Sequence, residues 1–249
     1  MSNRISFAAR TDVGLTRKNN EDSFVVLKGS DDSSFVVILA DGMGGHQRGE
    51  LASSTAVRYT SERLAREIKV AMPVERISHI VQEVVEKANV KVYLQSLEAT
   101  ENSGMGTTLT VGVFASDQLI IGHIGDCRIY RLRQDRLDHL TRDHTLVQAL
   151  VDRGDISPDQ AKRHPRRNVV TRALGSPEYM QADTYIYSVE RGDRYLFSSD
   201  GLHDYVNEED IKYILSNEKS PELAVDQLIE LANRQAGVDN VTVICGFVQ

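Results

Sequence analysis

The sequence predicts an α+β fold: a central antiparallel β-sandwich flanked by pairs of helices in four layers (α-β-β-α), with a flap insertion. Three observations carry this. Short β-branched runs recur along the 249 residues, and two pairs of amphipathic segments interrupt them. Successive strands also follow one another through short turns instead of alternating with helices, which speaks against a parallel sheet. Residues 1–249 are read as one domain, without repeats, low-complexity tracts or linkers.

Residues 23–27 (SFVVL) and 34–40 (SFVVILA) flank the turn-prone segment 28–32 and predict an early hairpin. From Glu50 to about Lys69, Leu51, Val57, Leu64 and Ile68 fall near one helical face. Residues 74–97 place Ile77, Ile80, Val81, Val84, Ala88 and Val92 at three- and four-residue steps, so two long helices follow the hairpin. The polar stretch 99–106 ends that pattern. Residues 107–114, 119–124 and 127–132 then read as a meander of three strands. Residues 141–176 form the flap: polar and basic, with KRHPRR at 162–167, a short helical pattern at 146–151 and no strong strand, the profile of a mobile lid. Strands resume at 185–189 and 194–198, helices at 208–215 and 222–234, and residues 240–248 close the chain as a strand.

With 36 acidic against 29 basic residues the net charge is −7, while 41% of residues are hydrophobic and 26% charged. That is ordinary globular composition, and it argues against nucleic acid as a partner, since a broad basic footprint is missing. The longest apolar run, 35–40, is far below the ~20 residues that span a bilayer, and the N-terminus has no signal-peptide apolar region. A cytoplasmic chain without a membrane partner is expected. Cys127 and Cys245 lack C-x-x-C spacing and are read as small buried hydrophobes.

Chemistry concentrates where aspartates meet strand ends. Asp41 and Asp200 end the runs FVVILA and RYLFSS and are followed by Gly42 and Gly201; Asp22, Asp126 and Asp239 precede SFVVL, CRIYRL and NVTVICGF. Any one alone reads as a turn former. Five gathered on one rim of a sandwich would repel one another unless cations neutralised them. Oxygen ligands without His or Cys suit Mg²⁺ or Mn²⁺ and disfavour zinc. The glycines of DGMGGH (41–46) let backbone approach such a site and expose the Gly42 carbonyl; with no following Lys-Ser/Thr they do not form a P-loop.

In chain order, RKNNED (17–22), ADGMGGH (40–46), GMGTT (104–108), GDCR (125–128), SDGL (199–202) and DNVT (239–242) resemble the motif set of the metal-dependent protein serine/threonine phosphatases, the type 2C family. The match runs from Arg10 to the C-terminus, and the compact length and DGMGG form resemble the bacterial branch, whose members oppose serine/threonine kinases. The resemblance implies a β-sandwich with a binuclear Mn²⁺ or Mg²⁺ centre at one edge. Asp41 would bridge two ions, Asp200 and Asp239 would complete one site, Asp22 and the Gly42 carbonyl the other, and Asp126 with Asp200 a third seen in bacterial relatives. Asp41, Asp200 and Asp239, with Arg17 as the phosphate-binding arginine, would carry catalysis. Partners would be phosphorylated proteins, a serine/threonine kinase among them, met by a monomer.

One departure from the family matters. Eukaryotic relatives often carry a histidine directly after the Asp-Gly pair, proposed as a general acid, and here Met43 stands there. His46 is read as ordering the glycine turn, His123 as a packed or hydrogen-bonded structural residue, Thr107 and Thr108 as strand starters, and Ser199 as packing beside a ligand. KRHPRR reads either as an attractor of acidic phosphopeptides or as a solvated basic loop. Two rival functions are a non-catalytic regulatory binding module on the same fold and a phosphatase for anti-sigma-factor antagonists.

Overall fold

The computed structural model describes residues 4–29, 33–44, 47–69 and 71–249. His46 and the centre of the expected 28–32 turn lie outside them. The chain begins with strands β1 (Ile5–Asp12), β2 (Asp22–Lys28) and β3 (Phe35–Met43), then helices α1 (Gln47–Glu67) and α2 (Val74–Ser96). Strands β4 (Gly106–Thr107), β5 (Leu109–Ala115), β6 (Gln118–Ile124), β7 (Arg128–Arg133) and β8 (Arg136–His139) follow, and two short helices, α3 (Leu146–Asp152) and α4 (Pro158–Lys162), occupy the flap. The C-terminal part adds β9 (Asp183–Ser188), β10 (Arg194–Ser198), α5 (Asp200–His203), α6 (Glu208–Asn217), α7 (Pro221–Gln235) and β11 (Val241–Val248).

One sheet has the order β1-β11-β10-β7-β8 and the other β2-β3-β5-β6-β9, with β4 beside β3. Every strand pairing is antiparallel. α1 and α2 cover the second sheet, α6 and α7 the first, which completes the expected four layers. The early hairpin is β2 against β3. The meander is corrected: β5 and β6 pair, but β7 lies in the other sheet between β10 and β8. The chain changes sheets at Gly125, whose φ of +113° and contact with Thr108, 2.5 Å from where a Cβ would stand, only glycine tolerates.

Strand parity explains both the apolar runs and the position of the charges. Phe35, Val37 and Leu39 enter the core between the sheets, while Ile38 and Ala40 join the cluster under α1 and α2. A strand covered on both faces reads as continuously apolar. β10 does the same, with Tyr195 and Phe197 between the sheets and Leu196 toward α6 and α7. Asp41 stands two residues beyond Leu39 and in register opposite Asp22, so both carboxylates leave their strands on the inner face, at the rim of the sandwich. Cys127 and Cys245 are buried free thiols.

The flap is tied down at both ends. Thr145 bridges to Val170 and Thr107 to Leu174. Just beyond, the Asn89 side chain of α2 accepts from the Gly175 and Ser176 N–H groups at 2.8 and 3.1 Å and donates to the Ser176 and Glu178 carbonyls at 3.0 and 3.1 Å. Between these anchors α4 opens on a capping box in which Ser157 and Gln160 satisfy each other's backbone N–H groups.

Close packing between the sheets yields a prediction. A methyl group at Gly112 would lie 2.6 Å from Phe197 Cζ, so Gly112→Ala should lower stability by about 1–3 kcal/mol through overpacking. Urea unfolding would show this as a lower midpoint at unchanged slope; a wild-type midpoint would contradict the packing described.

Candidate metal centre

The rim of the sandwich opens into a cleft of about 310 Å³ lined by Arg17, Asp41, Gly42, Asp126, Asp200 and Asp239. Asp41 comes from β3, Asp126 from the crossover between β6 and β7, Asp200 from the first turn of α5, and Asp239 from the residues before β11. Six of the seven sequence-predicted positions are therefore brought together. Asp22 is the exception, since it does not line the cleft. Its Oδ2 accepts from Thr242 Oγ1 at 2.6 Å and Ser199 Oγ at 2.8 Å. Glu21, which the strand-end pattern passed over, stands on the wall instead.

Backbone contacts fix these groups. The Asp41 N–H donates to Thr108 Oγ1 at 2.8 Å, and the Asp41 carbonyl accepts from Thr107 Oγ1 and the Thr108 N–H, both at 2.9 Å. The two threonines do not start strands as expected, since Thr107 ends β4 and Thr108 lies between β4 and β5; their side chains clamp the end of β3 instead. Asn240 joins three segments: its Oδ1 accepts from the Glu21 N–H at 2.8 Å, and its Nδ2 donates to the Val13 and Asn19 carbonyls at 3.0 and 2.9 Å. A Cβ at Gly201 would stand 2.0 Å from the Asn240 carbonyl oxygen, and one at Gly42 2.1 Å from that of Gly49. Both Asp-Gly pairs thus need glycine for close approach of the backbone, with no left-handed turn at either position.

Electrostatics makes the metal-free centre costly. Burial, and then repulsion from Asp22, Asp200, Asp126 and Asp239, holds Asp41 well above the usual carboxylate range. Burial, and then Asp126 and Asp239, does the same to Asp200. Burial pushes Asp126 up to about 7, with Asp143 and Asp204 adding to it. Asp22 rises to about 6, again chiefly by burial and against the pull of its two hydroxyl donors. Its Oδ1 is buried without a hydrogen-bond partner among the described residues.

These residues fit hard divalent ions. The donors are all carboxylate or carbonyl oxygen, and a buried oxygen stands unsatisfied. Among the described residues no three His, Cys, Asp or Glu side chains converge as a ready-made ligand cage. Mg²⁺-type sites do not need one, because such ions keep several waters and take only one or two carboxylates each. Arg17 Nη2 contacts Asp239 Oδ2 at 2.8 Å, which places a guanidinium directly beside the carboxylates.

The protein phosphatase 2C family profile matches residues 16–228. The chain belongs to that family. It is 37% identical over 235 residues to the serine/threonine phosphatase stp of Listeria monocytogenes, covering 94% of this chain and 92% of that one. It is 40% identical over 246 residues to the serine/threonine protein phosphatase PstP of Mycobacterium tuberculosis, covering 98% of this chain and 45% of that longer protein. The crystal structure of the catalytic domain of PstP in complex with two manganese ions superposes with a TM-score of 0.85 at 37% identity, over 99% of each chain.

Within this 2C-type frame His123 and His144 sit in hydrogen-bonded networks away from the cleft wall. No histidine lines the described cleft, and Met43 on its wall has no proton to donate. His123 is fully buried, with Nδ1 2.8 Å from Thr110 Oγ1 and Nε2 3.2 Å from the Arg142 carbonyl. His144 accepts the Gly125 N–H at Nδ1, 3.0 Å away, and its Nε2 lies 3.1 Å from Asp183 Oδ2 and 2.8 Å from Arg172 Nη1. Ser199 is buried and bonds Asp22.

The sign of the electrostatics is testable without catalysis. Each raised carboxylate has a folded-state pKa above its unfolded value of about 4, so without metal its contribution to stability is lost as pH climbs through the raised values. At pH 7.5 in chelator, Asp41→Asn should unfold no lower than the wild type, and the rise in Tm on adding Mn²⁺ should shrink. For a chain of this size a 1 kcal/mol change moves Tm by about 2–4 °C. A variant destabilised in chelator that still gained full stability from Mn²⁺ would refute the assignment.

Proposed function

We propose that the protein hydrolyses phosphoserine and phosphothreonine in phosphoproteins at a binuclear Mn²⁺ or Mg²⁺ centre, acting as a cytoplasmic monomer that opposes a serine/threonine kinase. The observation that carries this is the gathering of Asp41, Asp126, Asp200 and Asp239 beside Arg17 in one cleft. Asp41, Asp200, Asp239 and the Gly42 carbonyl would hold two ions, and Asp126 with Asp200 a third. Asp22, off the wall, would support Asp41 from behind, and Glu21 would take the place on the wall first given to Asp22. Among the described residues no helix is long and apolar enough to cross a membrane.

Divalent ions held there supply a water acidified to near-neutral pKa and positive charge for phosphoryl oxygens. The chain's own residues position the ester. Arg17 is held on the rim by the Leu15 and Thr16 N–H groups, which donate to the Gly237 carbonyl at 2.7 and 3.1 Å. Its side chain is half-exposed, and its planar fork can grip phosphate oxygens while keeping its contact with Asp239. With Met43 where a histidine acid would stand, no described side chain on the wall is assigned to protonate the leaving alcohol.

Chelation should abolish phosphopeptide hydrolysis and Mn²⁺ should restore it; undiminished turnover by stripped protein in chelator would overturn the reading. Asp200→Asn and Asp239→Asn should each remove most turnover, and wild-type rates in both would contradict the ligand set. For Arg17→Ala, losing a charge-assisted contact worth about 1.5–3 kcal/mol should lower kcat/KM by about tenfold to a hundredfold. Mn²⁺ affinity, measured by calorimetry, should not weaken, because Asp239 is freed. Unchanged kcat/KM would remove Arg17 from the phosphate site.

A further inference from the structure

The flap carries a run of cations that leads into the cleft. Residues 158–168 hold Lys162, Arg163, Arg166 and Arg167 against a single carboxylate, Asp159, in a chain of net charge −7. Arg167 is committed: its Nη1 lies 3.7 Å from Asp204 Oδ2, and its guanidinium sits 5.9 Å from the centre of the Tyr205 ring. This ties the end of the run to the turn that follows Asp200. Lys162, Arg163 and Arg166 are exposed, and among the described residues none of them has an ion-pair partner. Other flap arginines are neutralised, Arg142 by Asp152, Arg153 by Asp155 and Arg172 by Asp183.

The run is compact. The His164, Arg167 and Val169 N–H groups donate to the Ala161, His164 and Arg166 carbonyls at 3.1, 3.1 and 3.3 Å, so successive turns hold the three free cations together. Two residues past Arg166, Asn168 lines the cleft, and Val170 follows it there. A phosphorylated residue seated in the cleft would therefore bring its flanking residues against these cations.

We propose that Lys162, Arg163 and Arg166 form a docking rim for acidic residues flanking the phosphorylated serine or threonine, which makes acidic phosphoprotein segments the preferred substrates. This rests on the phosphatase reading above. The rim acts through charge and proximity, raising the local concentration of an acidic segment at the cleft mouth, and it touches none of the groups that hold the centre.

The test compares two phosphothreonine peptides of one core sequence, flanked by Glu or by Gln, with a small aryl phosphate as the reference that cannot reach the rim. The Mn²⁺-loaded wild type should favour the Glu peptide by about tenfold in kcat/KM, mainly through KM. The preference should shrink at high salt, where the screening length falls to ~3 Å at 1 M. In the triple variant Lys162→Ser, Arg163→Ser, Arg166→Ser the two peptides should be used equally, with aryl phosphate turnover within twofold of wild type. A wild-type ratio near one, or a ratio kept by the variant, would overturn the rim while leaving the phosphatase reading intact. Failure of the wild type to hydrolyse the aryl phosphate in Mn²⁺ would overturn both.

Discussion

Like-charge repulsion at the rim of the β-sandwich is the constraint on which the rest of the structure depends. Strand parity leaves the chain no choice about where Asp41 points: two residues beyond Leu39 it must emerge between the sheets. There it faces carboxylates delivered by a crossover, a helix start and a strand start. Burial raises the cost of ionising each of them, and their neighbours raise it further. A fold that held these groups together with nothing to bind would be sacrificing stability without return. Their retention in one cleft is the physical signature of a cation site.

The surrounding layer spends its hydrogen bonds on geometry. Thr107 and Thr108 clamp the backbone of Asp41, while Asn240 ties Glu21 to the loops at Val13 and Asn19. Glycine at 42 and 201 lets neighbouring backbones come closer than a side chain permits. The motifs that flank the aspartates therefore serve to hold oxygen atoms still, which a catalytic constellation requires.

Much of this was legible in the sequence, and the parts that were not have physical reasons. The runs around Phe35–Ala40 and the 3.6-residue patterns of α1 and α2 were readable because each element buries a wide apolar face. β1 was missed although Ile5, Phe7 and Ala9 alternate, because it begins the chain without a turn signal on its N-terminal side. β8 and α5, at four residues each, are too short to carry a period. The meander failed because periodicity reports strands and not which sheet they join; that was decided by the positive φ at Gly125. Asp22 and Glu21 were exchanged on the cleft wall for a related reason. Adjacent residues at a strand start point opposite ways, and only the register with β3 and the hydroxyls of Ser199 and Thr242 shows which one turns inward.

The anchoring of the flap has an evolutionary consequence. Because Thr145 with Val170 and Thr107 with Leu174 close its base, whatever lies between is a loop whose ends are already joined, and lengthening such a loop costs only about 0.6 kcal/mol per doubling. Mutation and insertion there can proceed without moving an oxygen atom of the centre. The architecture separates a part that must stay constant from a part free to diversify, so descendants of one hydrolytic core can acquire new clients by rewriting some two dozen residues.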